Sequence, residues 1–324
     1  MAVYTQVSFD EASGLMQRLQ LGQLQSMEAC AGGIENTNYF VTTDSGAYVL
    51  TLFERLSADQ LPFYLRLMKH LAVHGIPVPE PAADGFGELL YTVNGKPATV
   101  VNRLQGASEL HPSPAHCTCV GLWLAKMHGV GREFDLHQPN LRALDWWNET
   151  VPVILPFLDA ARAILIQSEL AYQNHVAASA AYAALPKGAI HADLFRDNVM
   201  FAPAQDAPAN AAAPAMTGFF DFYFAGVDTW VFDVAVCLND WCINLATGAP
   251  DPLRQAAFLN AYESVRPLTH AEHKTLPAML RAAALRFWIS RLWDLHLPRE
   301  ASVLKAHDPT HFERVLRQRQ RFAV

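Results

Sequence analysis

The 324-residue sequence has no uninterrupted apolar run of about 18 residues, so it predicts no membrane-spanning helix. The opening residues, MAVYTQVSFDEAS, contain neither a basic stretch nor an apolar core, and we expect no signal peptide. Basic residues are not in excess, since 24 Lys and Arg face 31 Asp and Glu, for a net charge of −7. This balance argues against a nucleic-acid-binding protein and against a protein of anionic membrane surfaces.

Metal-binding patterns of cysteine and histidine are also missing. The 5 cysteines include no CxxC pair, and the 13 histidines are scattered without ligand spacing. We therefore interpret the cysteines as reduced thiols of a cytoplasmic protein, and a metal-dependent hydrolase finds little support. With 51% hydrophobic and 17% charged residues, the chain is expected to be globular, with about two domains or one large one.

The first hundred residues predict a small antiparallel sheet that carries one main helix. Ser8 and Glu11 form a capping-box pattern at the start of a first helix. Helical periodicity between Leu61 and Gly75 predicts the main helix, and Asn94 begins an Asn-Gly turn. The predicted strands are 38–43 and 47–53, joined as one hairpin, and 88–93 and 97–104, joined as another.

From Pro112 onward the sequence pattern is mostly helical, with strand-like stretches at 190–201 and 217–224. The Ala/Pro-rich tract 202–215 between them is interpreted as a long hairpin excursion. Together these patterns predict an α+β protein. Its small sheet-containing lobe would span 1–103, and its larger, mainly helical lobe would span 104–324.

The segment HADLFRDN, residues 191–198, carries the most specific chemical signal. Asp193 and Asn198 lie in a loop that leaves a short strand, and Asp221 follows a second apolar strand. Phosphoryl transfer requires one carboxylate to accept the proton of the attacking hydroxyl. It also requires an amide oxygen and a second carboxylate to hold Mg²⁺ at the phosphates. The order and spacing of these side chains therefore indicate a kinase-type site.

The same segments resemble the protein-kinase-like fold, and LWLAKMH at 122–128 is similar to its aminoglycoside phosphotransferase branch. More specifically, the chain resembles the bacterial homoserine kinases of this fold, nearly from end to end. The segments that carry this resemblance are MAVYT at 1–5, HADLFRDNV at 191–199, DFY at 221–223, CLNDWC at 237–242 and RFW at 286–288.

The resemblance implies that ATP and L-homoserine give O-phospho-L-homoserine and ADP, a step of threonine biosynthesis, with Mg²⁺ as cofactor. Position by position, it implies Asp193 as the catalytic base and Asn198 and Asp221 as Mg²⁺ ligands. His191 is expected to brace the loop by hydrogen bonding. Asp233 is expected to tie down the same loop and to cap the helix that follows.

Two further segments are predicted to bind the nucleotide. Gly32, Gly33 and Asn36 precede a strand rather than a helix, which excludes a Walker A or Rossmann loop. They resemble instead the flap that lies over the ATP phosphates. Val101 and Arg103 end the second hairpin and are expected to offer backbone groups to the adenine edge.

One position departs from the protein-kinase pattern. Thr51 stands where protein kinases place a strand lysine, and the predicted main helix has no acidic residue to pair with such a lysine. We hypothesise that Arg55, Arg196 or both supply the missing positive charge to the phosphates.

Homoserine is a zwitterion, so its site requires an anion and a cation besides the base. Asp240 and Arg291 are the candidates, with Arg286 as an alternative to Arg291. Two other functions stay open: a kinase of the same fold for an amino alcohol, amino sugar or aminoglycoside, and a catalytically silent nucleotide-binding module. The expected partners are ATP and L-homoserine, and the sequence leaves a homodimer open.

Overall fold

The computed structural model describes residues 4–30, 36–203, 214–297 and 307–321. The chain divides into two compact units. The first comprises Met1–Gln105 and Gly218–Phe220, and the second comprises Gly106–Thr217 and Asp221–Val324. The predicted boundary after Arg103 lies just before this division. The return of three residues to the first unit was not predicted, because it depends on a long-range bond from the Phe219 N–H to the carbonyl of Pro77.

The first unit contains an antiparallel sheet of five strands in the order β1-β2-β3-β5-β4. Its strands are Leu24–Ala29 (β1), Asn36–Thr43 (β2), Ala47–Phe53 (β3), Tyr91–Val93 (β4) and Lys96–Asn102 (β5). Its helices are Phe9–Arg18 (α1) and Pro62–Val73 (α2).

Helix α1 begins at the predicted capping box. The Ser8 hydroxyl accepts from the Glu11 N–H, and the Glu11 carboxylate accepts from the Ser8 N–H, so two otherwise unpaired groups of the helix start are satisfied. The buried face of the helix, including Leu15 and Met16, belongs to the same core as Leu50 of β3. Burial of this apolar stripe fixes the helix on one face of the sheet.

Both predicted hairpins of the first unit are confirmed. Asn94 and Gly95 have φ angles of 49° and 75°, which is the left-handed pair that a tight two-residue turn needs. Strand β1 was not predicted. A register shift between Leu24 and Ser26 interrupts its pairing with β2, so the alternation of apolar and polar side chains that marks a strand is lost.

The second unit is mainly helical. Its helices are Pro114–Gly131 (α3), Leu144–Ile154 (α4), Ala160–Ala177 (α5), Ala180–Ala183 (α6), Trp230–Trp241 (α7), Pro252–Val265 (α8), His270–His296 (α9) and Thr310–Arg321 (α10). Its short strands are Lys187–Ile190 (β6), Val199–Phe201 (β7), Met216–Phe219 (β8), whose end crosses the division, and Gly226–Thr229 (β9).

Helix packing in this unit brings α3 against α8, and α9 against α7 and α10. The first contact requires Gly121, because a Cβ at this position would lie 2.3 Å from the Phe258 carbonyl oxygen. Strand β6 pairs antiparallel with β9, and β7 pairs with β8. The predicted strand 190–201 is therefore two strands separated by a loop, and residues 204–213 of the predicted excursion lie outside the described part of the chain.

Candidate active site

The loop after strand β6 is held in place by one carboxylate. Asp233, on α7, accepts hydrogen bonds from the backbone N–H groups of His191 and Ala192, each at 2.8 Å. Ala192 has a φ of 64°, a left-handed conformation that a non-glycine residue adopts only when its surroundings hold it there. Asp233 thus ties down the loop as expected. It does not cap the helix, because Thr229 occupies the N-cap and Asp233 lies within the first turn.

Asp233 is itself held by a buried chain of hydrogen bonds through His128 and Tyr262. His128 Nε2 lies 3.1 Å from the Asp233 carboxylate, and His128 Nδ1 lies 2.8 Å from the hydroxyl of Tyr262. Burial lowers the pKa of His128, which opposes its charged form. Burial acts to raise the pKa of Asp233, but the hydrogen bonds from His128 and from the His191 backbone outweigh it, and the pKa is lowered.

Sequence reasoning gave His128 no role, although it ends the LWLAKMH segment. A buried histidine on an apolar helix has no local signature, because its partners lie about a hundred residues away in α7 and α8. Only the packing of α3 against α7 and α8 brings the three hydrogen-bonded side chains together.

His191 occupies the position expected of a bracing residue. Its Nδ1 lies 3.3 Å from the backbone N–H of Asp193, and its ring packs on Phe222 with the centroids 4.5 Å apart. The side chain is fully buried. These contacts fix the start of the loop immediately before Asp193.

Asp193 lies among several charged groups. Its surface is partly exposed, but the protein around it desolvates the carboxylate, and this burial raises the pKa of Asp193 well above its ordinary value. The guanidinium of Arg286 opposes the rise, whereas the charges of Asp221, Asp197 and Asp240 add to it. A carboxyl with a raised pKa is suited to accepting a proton.

Asn198 and Asp221 are the residues that could hold a divalent cation. The Asn198 amide donates from Nδ2 to the Asp193 carbonyl at 2.8 Å, which leaves its Oδ1 as an oxygen donor facing away from that bond. Asp221 has a left-handed backbone with φ of 69°, and its charge is felt at Asp193. No group of three or more His, Cys, Asp or Glu suited to a metal occurs among the described residues. Mg²⁺ fits such a sparse oxygen set, because it keeps waters and phosphate oxygens as ligands.

Arg196 does not lie where the phosphate hypothesis requires. Its side chain is 6% exposed, and Nε lies 3.0 Å from Oδ2 of Asp240. Nη1 donates to the carbonyl of Leu110 at 2.9 Å, and Nη2 donates to the carbonyl of Asp240. All three guanidinium nitrogens are thus bound within the protein, and the prediction that Arg196 supplies charge to ATP is wrong for this arrangement.

The same ion pair engages Asp240, the predicted anion of the substrate site. Its Oδ2 accepts from both the backbone N–H and Nε of Arg196, so this oxygen is bound within the protein. Burial raises the pKa of Asp240, and Arg196 opposes that rise. The pair anchors the loop of residues 191–198 to the end of α7.

Arg291, the other predicted substrate residue, lies near the acidic groups but has partners of its own. Nη1 donates to the carbonyl of Asp308 at 3.1 Å, and the guanidinium lies 4.5 Å from the centroid of the Phe312 ring. Arg286 lies about one and a half turns earlier on α9.

The predicted nucleotide residues of the first unit are partly described. Gly32 and Gly33 lie outside the described residues, and Asn36 begins β2 opposite Phe53. Val101 pairs with Val49 on β3. The Arg103 N–H donates to the carbonyl of Ala47 at 2.9 Å, so the predicted contact of this donor with adenine is replaced by a sheet bond.

Thr51 and Arg55 lie on and after β3. The Thr51 hydroxyl donates to the Asn38 side chain at 2.7 Å, so a neutral cross-strand bond stands at the kinase lysine position. Arg55 is exposed just beyond the strand. Sequence reasoning missed the ion pair of Lys96 with Glu54, 3.1 Å apart, because it forms across β3 and β5.

The fold and the loop together define the class of protein. A profile of the phosphotransferase enzyme family matches residues 26–268, and the chain belongs to this family. A homoserine kinase of Polaromonas naphthalenivorans is 61% identical and covers 98% of both chains. Homoserine kinases of Paraburkholderia xenovorans and Ralstonia pickettii are each 55% identical, over 98% of this chain and 96% of theirs. The predicted similarity to homoserine kinases is therefore confirmed.

Solved structures agree on the fold. A putative aminoglycoside phosphotransferase from Ralstonia eutropha aligns with a TM-score of 0.67 at 16% identity, over 97% of both chains. Choline kinase from Cryptosporidium parvum aligns with a TM-score of 0.65 at 12% identity, over 97% of this chain and 96% of that one. The predicted α+β, protein-kinase-like fold and the prediction of a phosphotransferase enzyme are confirmed. No helix in the described residues is long and apolar enough to cross a membrane.

Proposed function

We propose that the chain is an ATP-dependent kinase that phosphorylates the hydroxyl of L-homoserine to O-phospho-L-homoserine, for threonine biosynthesis in the cytoplasm. The observation that carries the proposal is the Asp193 carboxylate, presented by a loop that Asp233 fixes through two backbone bonds. The substrate is inferred from the curated relatives, which are homoserine kinases at 55% to 61% identity over nearly the whole chain.

In the proposed reaction, the homoserine oxygen forms a bond to the γ-phosphorus of ATP. The bond from that phosphorus to the bridging oxygen of ADP breaks, and the hydroxyl proton passes to the Asp193 carboxylate. The raised pKa of Asp193 favours its holding this proton. The bonds from Asp233 to His191 and Ala192 keep the loop in place, so little reorganisation is needed in the reaction.

Asn198 and Asp221 are the proposed Mg²⁺ ligands, through the Asn198 Oδ1 and a carboxylate oxygen. When bound, Mg²⁺ supplies neutralisation of the phosphate charge. The negative charges that Asp221, Asp197 and Asp240 place around Asp193 suit a divalent cation at this point.

For the nucleotide, we keep Gly32, Gly33 and Asn36 as the proposed phosphate flap and Val101 as a backbone neighbour of adenine. Arg55 remains the proposed source of positive charge for the phosphates, now without Arg196, whose donors are bound within the second unit.

Acceptor-dependent ADP release by the purified chain tests the function. We expect release with MgATP and L-homoserine at a rate far above that with ethanolamine, an amino sugar or an aminoglycoside. Turnover of one of these acceptors and not of homoserine would assign the chain to another small-molecule kinase. Binding of MgATP with no turnover of any acceptor would favour the silent nucleotide-binding module.

A further inference from the structure

Arg286 is a buried arginine with an open hydrogen-bonding edge. It lies in the middle of α9 and is 3% exposed. Within the described part of the chain, its Nε and Nη2 are buried and have no hydrogen-bond partner. A buried charged group without partners is costly, so the fold has a reason other than stability to keep it.

The surroundings of Arg286 place it at the catalytic site. Its guanidinium lies 3.8 Å from the ring centroid of Phe287 and 4.8 Å from that of Phe224, in the short helical turn that directly follows Asp221. Among the neighbouring charges, Arg286 acts most strongly on Asp193 and opposes the rise of its pKa, and Asp193 in turn acts most strongly on Arg286. The two groups therefore attract each other, while Nε and Nη2 remain available to a third group.

The two open donors also define what they can bind. Nε–H and Nη2–H lie along one edge of the planar guanidinium and point the same way, which is the fork that matches the two oxygens of a carboxylate. The aromatic rings beside the guanidinium restrict water around it and hold its plane. A small amino acid whose hydroxyl reaches Asp193 is short enough for its carboxylate to reach a neighbouring cation.

We propose that Arg286 binds the α-carboxylate of the amino-acid substrate through Nε and Nη2, and so selects hydroxy-amino acids over amino alcohols. This rests on the proposed kinase function, since it places the substrate hydroxyl at Asp193. Arg291 is less suited to this role, because Nη1 already donates to the Asp308 carbonyl and the guanidinium stacks on Phe312.

The test compares two acceptors that differ only in the carboxylate, L-homoserine and 3-amino-1-propanol. We expect Arg286→Leu to lower kcat/KM for L-homoserine by roughly 100- to 1,000-fold, because the carboxylate then enters the site without its partner. For 3-amino-1-propanol we expect a loss below about threefold, since that acceptor makes no contact with the guanidinium edge. Arg286→Lys is expected to fall between, because an ammonium lacks the planar fork.

Lys274→Leu is the matched control, since it removes an exposed cation from the same helix. It is expected to leave kcat/KM unchanged for both acceptors. If Arg286→Leu does not fold, Arg286→Lys with the same two acceptors gives the test, because its loss must still be larger for L-homoserine.

Equal losses for both acceptors would overturn the proposal and make Arg286 a group that acts on the phosphoryl transfer itself. A carboxylate-specific loss in Arg291→Gln but not in Arg286→Leu would transfer the role to Arg291. Wild-type protein that turns over neither acceptor would instead contradict the proposed function, so the two failures are distinguishable.

Discussion

The loop of residues 191–198 and helix α9 each bury an arginine near Asp193. The two arginines differ in how many of their guanidinium nitrogens are hydrogen-bonded within the protein. Arg196 in the loop donates from all three of its guanidinium nitrogens to Asp240 and Leu110. Arg286 in the helix has Nε and Nη2 without a partner among the described residues. A buried arginine with satisfied donors fixes the structure around it, whereas one with an open edge is available to a ligand.

Both arginines lie near the proposed base, and removing that base is expected to have the largest effect on activity. Asp193→Asn is expected to lower kcat by roughly 100- to 10,000-fold, because the amide cannot take the hydroxyl proton. MgATP affinity, measured by calorimetry, is expected to stay within about threefold, since the base acts on the acceptor.

Asp135→Asn serves as the control for this prediction, because Asp135 is an exposed carboxylate outside the loop of residues 191–198. Its kcat is expected to change less than about threefold. Turnover retained in Asp193→Asn would remove Asp193 from its proposed role.

Unfolding by urea would sharpen the comparison of the two arginines. Arg196→Met is expected to lower the free energy of unfolding by about 3–5 kcal/mol, because it leaves the buried Asp240 carboxylate unpaired. Arg286→Met is expected to change it by less than about 1 kcal/mol or to raise it, because the open edge contributes no bond to the fold.

Adding Asp240→Leu to Arg196→Met separates two contributions to the lost stability. One is the absence of the ion pair, and the other is the cost of an unpaired buried carboxylate. The double variant is expected to recover part of the lost stability, since both charges are then absent from the interior. Equal destabilisation by the two single arginine substitutions would contradict the view that Arg196 stabilises the fold through its bonds and Arg286 does not.

The stability that His128 and Asp233 give to the loop is also expected to depend on pH. The open edge of Arg286 is expected to contribute no such dependence. The pKa of the buried His128 is lowered, so the unfolded chain binds a proton there before the folded chain does. The free energy of unfolding therefore decreases as the pH falls below about 6.5, by at most about 1.4 kcal/mol per pH unit. Asp233, whose pKa is also lowered, adds a loss in the same direction below about pH 4.

Urea unfolding at a series of pH values checks this prediction. His128→Gln is expected to flatten the decrease just below pH 6.5, while the exposed His175→Gln is expected to leave it unchanged. Identical pH dependence in wild type and His128→Gln would show that His128 does not support the loop through its neutral form.

The predictable parts of the fold are those with local signals. The Ser8 capping box and the Asn94-Gly95 turn were correctly placed, because each depends on residues only a few positions apart. Strand β1 was missed where a register shift breaks the alternation, and β9 was missed because only pairing with β6 makes so short a run a strand. Pairing across the chain carries no signature in either segment.

The candidate site divides in the same way. The spacing of Asp193, Asn198 and Asp221 was readable, since the chemistry of phosphoryl transfer dictates their types and order. The partners of Arg196 were not, because Asp240 lies 44 positions further along the chain and reaches it only through the packing of α7.

The sequence by itself determined the α+β organisation, because helical and strand periodicity encode it, while its resemblance to a known family indicated the protein-kinase-like fold and the class of protein. The spacing of Asp193, Asn198 and Asp221 predicts the reacting loop. Tertiary structure alone decided which arginine is hydrogen-bonded within the protein and which has donors available to a ligand. Arg196, Arg286 and Arg291 carry the same charge and read alike in the sequence. Their difference arises from acceptors that folding brings within hydrogen-bond distance of Arg196 and Arg291 but not of Nε and Nη2 of Arg286 in the described structure.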